Sequence, residues 1–158
     1  MDKNKMVEEL NNNLEVNGME ITMGFFNRIN CEFITNDVEQ AVNVFEEWAK
    51  ENNVPYRIFD FDNNKDFTII DMTNFVNEVD EIGGIMVLKN YVLGDTHKRY
   101  WFASAYKDNE KVVRGFVEGY LTKLLFTVFI NTADKTLPSY KQLDPSEMSS
   151  IATVNLDK

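Results

Sequence analysis

A single cysteine, Cys31, and a single histidine, His97, are all the thiol and imidazole chemistry the sequence holds. One cysteine excludes an internal disulfide, and inside a short apolar strand it reads as a small core residue rather than a reactive thiol. A His-rich metal centre or a His-paired nucleophile has nothing beyond His97 to draw on. Asp95-Thr96-His97 reads instead as the start of a helix. No apolar run approaches the roughly 18–20 residues of a membrane span. The longest, 124–130, is strand-sized. Met1-Asp2-Lys3-Asn4-Lys5 leads into polar sequence without the apolar core or small-residue cleavage site of a secretory leader. These absences point to a cytoplasmic protein.

Positive charge is also scarce: 16 Lys and Arg stand against 26 Asp and Glu, a net charge of −10. Binding to a phosphate backbone needs the opposite balance. The acids are spread along the chain, as a solvated surface requires. A surface that mimics nucleic acid and occupies another protein's basic groove is the sharper alternative. The abundance of Asn and Lys is in keeping with an AT-rich bacterial or phage genome.

What is present suits one folded domain. The 158 residues are 44% hydrophobic and 13% aromatic, enough for a sizeable core and too apolar for disorder. Residues 6–14 read as a short helix weakened at its end by Asn11-Asn12-Asn13. Asn17-Gly18 between two mixed apolar runs is a hairpin signal, so residues 1–30 read as an extension of helix plus hairpin. Residues 31–35 form a strand, and Asn36-Asp37 can cap the helix that follows. That helix carries Val38, Ala41, Val42, Phe45, Trp48 and Ala49 on one face, ends at Asn52-Asn53 and is blocked by Pro55. A strand over 56–61 leads to a helix bearing Met72, Phe75, Val76, Val79 and Ile82, which stops at Gly83-Gly84. Residues 85–88 and 125–130 are continuous apolar runs, as expected of strands buried on both faces. Between them, 95–123 is mostly helical; Pro138 and Pro145 bracket a loop, and 151–156 is a final strand. Strands alternating with helices predict a three-layer α/β domain over 31–158 with a mostly parallel sheet. The element order and the two apolar strands predict a strand order of 5-1-4-3-2, counting 31–35 as the first.

Three segments carry a resemblance. Gly83-Gly84-Ile85-Met86-Val87-Leu88-Lys89-Asn90 has a small pair, four apolar residues and two polar ones. Leu125 to Ile130, then Asn131-Thr132-Ala133-Asp134, is an apolar strand with a polar end, and Leu143-Asp144-Pro145-Ser146-Glu147-Met148 follows. In this order they resemble the Walker B strand, the sensor 1 strand (Asp134 at the polar position) and the approach to the arginine finger in AAA+ P-loop ATPases. The resemblance covers roughly residues 31–157. It implies the P-loop strand order but not the chemistry. Where the family has G-x-x-x-x-G-K-[ST], this chain has Asn36-Asp37-Val38-Glu39-Gln40-Ala41, and Asp37 and Glu39 would repel a triphosphate. Lys89 and Asn90 stand where two acidic residues hold Mg²⁺ and activate water. Ser149-Ser150 stands near the finger position, and the helical lid has no counterpart. The resemblance implies a degenerate relative that does not hydrolyse ATP.

Other constellations read as scaffold. Asp60, Asp62, Asn63, Asn64 and Asp66 have calcium-loop chemistry but lack the central Gly and downstream Glu of the hand motif, so a solvated loop is the expectation. Glu46-Glu47 and Asp80-Glu81 fall on helix surfaces. The segment 95–109 is different. Arg99, Tyr100, Trp101 and Tyr106, with Lys98, Phe102 and Lys107, make the densest basic-aromatic cluster in an acidic chain. Such residues concentrate at binding hot spots, which makes these four the candidate contact with a protein partner or a second copy of the chain. Stacking on nucleic acid is disfavoured by the net charge. Three readings follow. The first is a non-enzymatic interaction module on an ATPase-like scaffold, an accessory subunit or a phage-encoded protein, with no catalytic residue, metal or cofactor. The second is a nucleotide- or small-molecule-binding enzyme whose site lies at the strand carboxyl ends, near Thr35-Asn36, Asp60 to Asp62, Lys89-Asn90 and Asn131-Thr132. The third is an acidic nucleic-acid mimic.

Overall fold

The computed structural model describes residues 1–14, 30–64, 69–90, 126–135 and 151–158. In chain order these hold α1 (Lys3–Leu14), β1 (Asn30–Ile34), α2 (Val38–Glu51), β2 (Tyr56–Asp60), α3 (Ile69–Ile82) and β3 (Ile85–Lys89). β4 (Thr127–Asn131), one 3-10 turn (Ala133–Lys135) and β5 (Ile151–Asn155) follow. The hairpin expected at Asn17-Gly18, the helical segment 95–123 with Arg99, Tyr100, Trp101 and Tyr106, and the loop between Pro138 and Pro145 lie outside the described residues.

The helices begin and end where local chemistry dictates. Asp37 accepts the Gln40 N–H at 3.0 Å and caps α2. At the other end Asn53 adopts φ 54°, the Val54 N–H donates to the Ala49 carbonyl, and Asn53 N–H to that of Lys50. Gly83 repeats this at the end of α3 with φ 66°, Gly84 N–H meeting Val79 O and Gly83 N–H meeting Asp80 O. Both ends are Schellman motifs, in which one left-handed residue satisfies the last carbonyls. Gly84 is needed for a second reason. A Cβ there would lie 2.5 Å from the Pro55 carbonyl oxygen, which accepts the Ile85 N–H that starts β3.

The strands pair in parallel throughout, in the order β2-β3-β4-β1-β5. Counted from the other edge this is the expected 5-1-4-3-2. β4 lies at the centre with β3 beside it, as the burial of every residue of β4 and of Ile85 to Leu88 in β3 requires. Strand limits shift by one or two residues from those read in the sequence; β4 starts at Thr127 and runs on to Asn131.

Alternation along the strands assigns the two sheet faces. Cys31, Phe33, Ile85, Val87, Val128, Ile130 and Val154 face α2, whose Ala41, Val42, Phe45, Trp48 and Ala49 complete that core. α1 joins the same layer, packed on α2 and β1 with Met6 and Leu10 fully buried. The helix inside the expected extension is therefore part of the domain's core. α1 also runs through Asn11-Asn12-Asn13 unbroken, because the Asn11 side chain is used: its Oδ1 accepts the Trp48 indole N–H at 2.9 Å. α3 covers the opposite face over β2 and β3, where Phe59 meets Phe75 edge-on at 5.3 Å. Three layers result.

Candidate functional site at the carboxyl ends of the strands

Because every described strand is parallel, every carboxyl end opens on the same edge of the sheet. Thr35-Asn36, Asp60 to Asp62, Lys89-Asn90 and Asn131-Thr132, far apart in sequence, are thereby placed on one rim. In open α/β sheets this rim is where ligands bind.

The turn from β1 into α2 is the first part of the rim. Four of its donors are already engaged. The carboxylate of Asp157, just past β5, accepts the Asn36 N–H at 2.6 Å and the Thr35 hydroxyl at 3.0 Å. Thr35 Oγ1 in turn accepts the Asp37 N–H at 3.1 Å, and Asp37 takes the Gln40 N–H. Sheet pairing extends into the turn to hold this geometry, with Thr35 N–H donating to Asn131 O and Leu156 N–H to Ile34 O. A helix start offers N–H groups and a positive dipole end to anions. Here the chain supplies the anions itself.

The second part is an ion cluster. Register sets Lys89 beside Asp60, both on the α2 face, and the first turn of α2 brings Glu39 above them. The Lys89 ammonium pairs with Glu39 and lies 3.4 Å from Asp60 Oδ2, with its side chain only 12% exposed. Asp60 also accepts from the Asp62 N–H, the Asn63 amide and the Asn90 amide at 2.9–3.1 Å, while Asn64 bonds its carbonyl. Burial alone would push Asp60 up; the Asn90 and Asp62 hydrogen bonds and the Lys89 charge outweigh it and hold the carboxyl below its ordinary range. Burial would likewise push Lys89 down, but Glu39 and Asp60 hold it above the ordinary lysine range. An ammonium held this way is a counter-charge, not an amine nucleophile. Asn90 sits at φ 58°, a conformation asparagine tolerates, and so aims its amide at Asp60.

Of the carboxylates that suggested a calcium loop, Asp60 is an internal acceptor and Asp62 is exposed with its N–H donated to Asp60, while Asp66 lies outside the described residues. Among the described residues no group of three His, Cys, Asp or Glu side chains is placed to hold a metal ion. Cys31 is buried, as expected of a core residue.

Sequence reasoning also missed a buried acid. Glu32 is only 2% exposed, on the face of β1 away from α2. It accepts from the Asn131 amide at 3.3 Å and the Thr153 hydroxyl at 3.2 Å. Asn131 Oδ1, buried beside it, has no hydrogen-bond partner. The signal was available: an acid between two core residues of an interior parallel strand must be buried, since both faces of such a sheet are covered.

Of the four contact residues inferred from sequence, Arg99, Tyr100, Trp101 and Tyr106, none falls within the described residues. Compared with known proteins, no family model matches the chain and no curated protein matches it. No helix among the described residues is long and apolar enough to cross a membrane.

Proposed function

We propose that the chain is a non-enzymatic protein-interaction module, acting in the cytoplasm as an accessory subunit or a phage-encoded protein, on a scaffold derived from the AAA+ core. One observation carries this reading: the carboxylates of Asp157 and Asp37 take up the Thr35 hydroxyl and the Asn36 and Gln40 N–H groups of the β1–α2 turn, the place where a P-loop would cradle phosphate. The Lys89 pairing supports it, because this cation beside the first turn of α2 is committed to Glu39 and Asp60. A triphosphate brought there would meet the like charge of Asp37, Glu39 and Asp157.

Thermal unfolding with Mg·ATP, Mg·ADP and inorganic phosphate, beside a phosphate-release assay, tests the reading. A ligand at 100 times its Kd would add about 2.7 kcal/mol of stability. No shift and no release is the expected result. Turnover above background that disappears in Lys89→Met overturns it.

The partner contact we assign to Arg99, Tyr100, Trp101 and Tyr106 rests on their chemistry in the sequence. Hot-spot aromatics and arginines cost about 2 kcal/mol or more of binding when truncated. Arg99→Ala combined with Tyr106→Ala should abolish capture of host proteins while leaving the melting temperature unchanged. Capture that survives both changes places the contact elsewhere.

A further inference from the structure

We infer that the sheet face away from α2 holds a site for one small monovalent cation (sodium, potassium or ammonium), bound among Asn131 Oδ1, the Glu32 carboxylate and Thr153 Oγ1. The inference goes beyond the contact reading and is independent of it.

Asn131 on β4, Glu32 on β1 and Thr153 on β5 stand on adjacent strands, and alternation sets all three on the face opposite α2. Thr127 of β4 joins them there. Three of the four buried polar side chains described, Glu32, Thr127 and Asn131, thus share one face. On the α2 side of the same two strands Cys31, Phe33, Val128 and Ile130 are all apolar. Exposure falls across the row from β5 inward: Thr153 is exposed, Glu32 is 2% and Asn131 0% exposed. A row of oxygens therefore leads from the surface at β5 to the central strand.

The inner end of that row is incomplete. Asn131 Oδ1 is buried without a hydrogen-bond partner among the described residues. Buried polar atoms in native proteins almost always have one, from protein, water or an ion. Turning the amide over does not relieve it. Asn131 Nδ2 donates to Glu32 Oε2 at 3.3 Å, and exchanging the two amide atoms would set oxygen against oxygen. Oδ1 shares a carbon with that nitrogen, so it lies close to the same carboxylate. The Thr153 hydroxyl likewise spends its hydrogen on Glu32 Oε1 at 3.2 Å, which leaves its lone pairs as acceptors. What the row offers a ligand is oxygen: amide carbonyl, carboxylate and hydroxyl. Such a set takes a hard cation. A water would bring lone pairs of its own to atoms that already accept. A calcium-type ion takes about six to eight oxygens, several of them from carboxylates. Among the described residues no group of three His, Cys, Asp or Glu side chains is placed to supply them. One carboxylate matches one unit of charge.

The test follows thermal unfolding of the full chain in sodium, potassium or ammonium chloride, with ionic strength held constant by tetramethylammonium chloride. Tetramethylammonium screens the acidic surface but has no N–H and is too large for the site. Melting temperature should climb with the small cation, by an equal step for each tenfold increase above its Kd. Asn131→Leu and Glu32→Gln keep the side-chain volume and leave the surface unchanged, and each should remove the climb. Thr153→Val lies at the exposed end of the row and leaves the core untouched. It should move the onset of the climb to a several-fold higher cation concentration. Equilibrium dialysis of the parent against radioactive sodium in excess tetramethylammonium should retain one ion per chain, which ammonium displaces, a measurement that needs no variant to fold. Two outcomes overturn the inference: no sodium retained and a melting temperature indifferent to which cation is present, or a climb of equal size in the parent and every folded variant. Either would leave water as the partner of Asn131 Oδ1. Neither bears on the β1–α2 turn or on partner capture, so failure here is distinguishable from failure of the functional reading.

Discussion

Lys89→Met keeps the apolar stem and the length of the side chain but removes the ammonium between Glu39 and Asp60. Asp60 would then face the α2 start with hydrogen bonds but no counter-charge. Breaking a fully buried pair costs about 3–5 kcal/mol, and an exposed one almost nothing. With Glu39 largely exposed and Lys89 largely covered, a loss of about 1–2 kcal/mol is expected between those limits. The pH dependence has a definite sign. Asp60 is held below its unfolded value, so its contribution is present above pH of about 4 and is lost as pH falls through the native value. Lys89 is held above its unfolded value, so its contribution is present below the ordinary lysine range and lost as pH climbs beyond it. Urea midpoints measured from acid to neutral pH should therefore fall less steeply at the acid end in Lys89→Met than in the parent. Equal acid slopes would show that Asp60 is not held by Lys89.

At the scale of elements, the α3–β3 junction makes two demands on neighbouring glycines. Gly83 needs a left-handed backbone, whereas Gly84 needs to lack a Cβ against the Pro55 carbonyl. Gly83→Ala should cost about 1 kcal/mol in conformational strain. Gly84→Ala should cost about 2–3 kcal/mol, since backbone must move to admit the methyl and the Ile85–Pro55 bond moves with it. Denaturant midpoints of the two variants check the ranking, and equal losses would discount the close approach. This junction was legible beforehand as a helix stop, because Gly-Gly after an apolar stripe has few other meanings. α2 was equally legible, since Asp37, the stripe from Val38 to Ala49, Asn52-Asn53 and Pro55 all agree. The ends of the strands were less so: burial continues past the apolar run in β4, where Asn131 is covered by packing and not by its own polarity. The rim positions could be read from strand order, but the pairing of Lys89 with Glu39 and Asp60 could not. It depends on register and on how far α2's first turn overhangs the sheet, neither of which leaves a local mark.

For the whole molecule, β5 and the four residues around its end are what close the sheet. β5 lies at one edge with β1 as its described neighbour, Leu156 is buried, and Asp157 and Asn155 tie the β1–α2 turn and α1 together. Removing residues 151–158 would expose the full edge of β1, uncover core from Val154 and Leu156, and leave the β1–α2 donors without their carboxylate. The expected outcome is loss of the soluble monomer, measured as soluble yield and sedimentation. A truncated chain that stays monomeric with the parent's melting temperature would show that closure lies elsewhere.

The same pairing bears on synthesis. β1 must wait for β4, which begins at Thr127, and for β5, which begins at Ile151. A ribosome adding about 5–20 residues per second leaves β1 without its second neighbour for roughly 6–24 s, the time to add the residues between Asn30 and Ile151. Until β4 emerges both edges of β1 are open, and until β5 emerges one of them still is. Translation speed and chaperone supply then join the stability of the finished fold in setting how much of the protein reaches its native form.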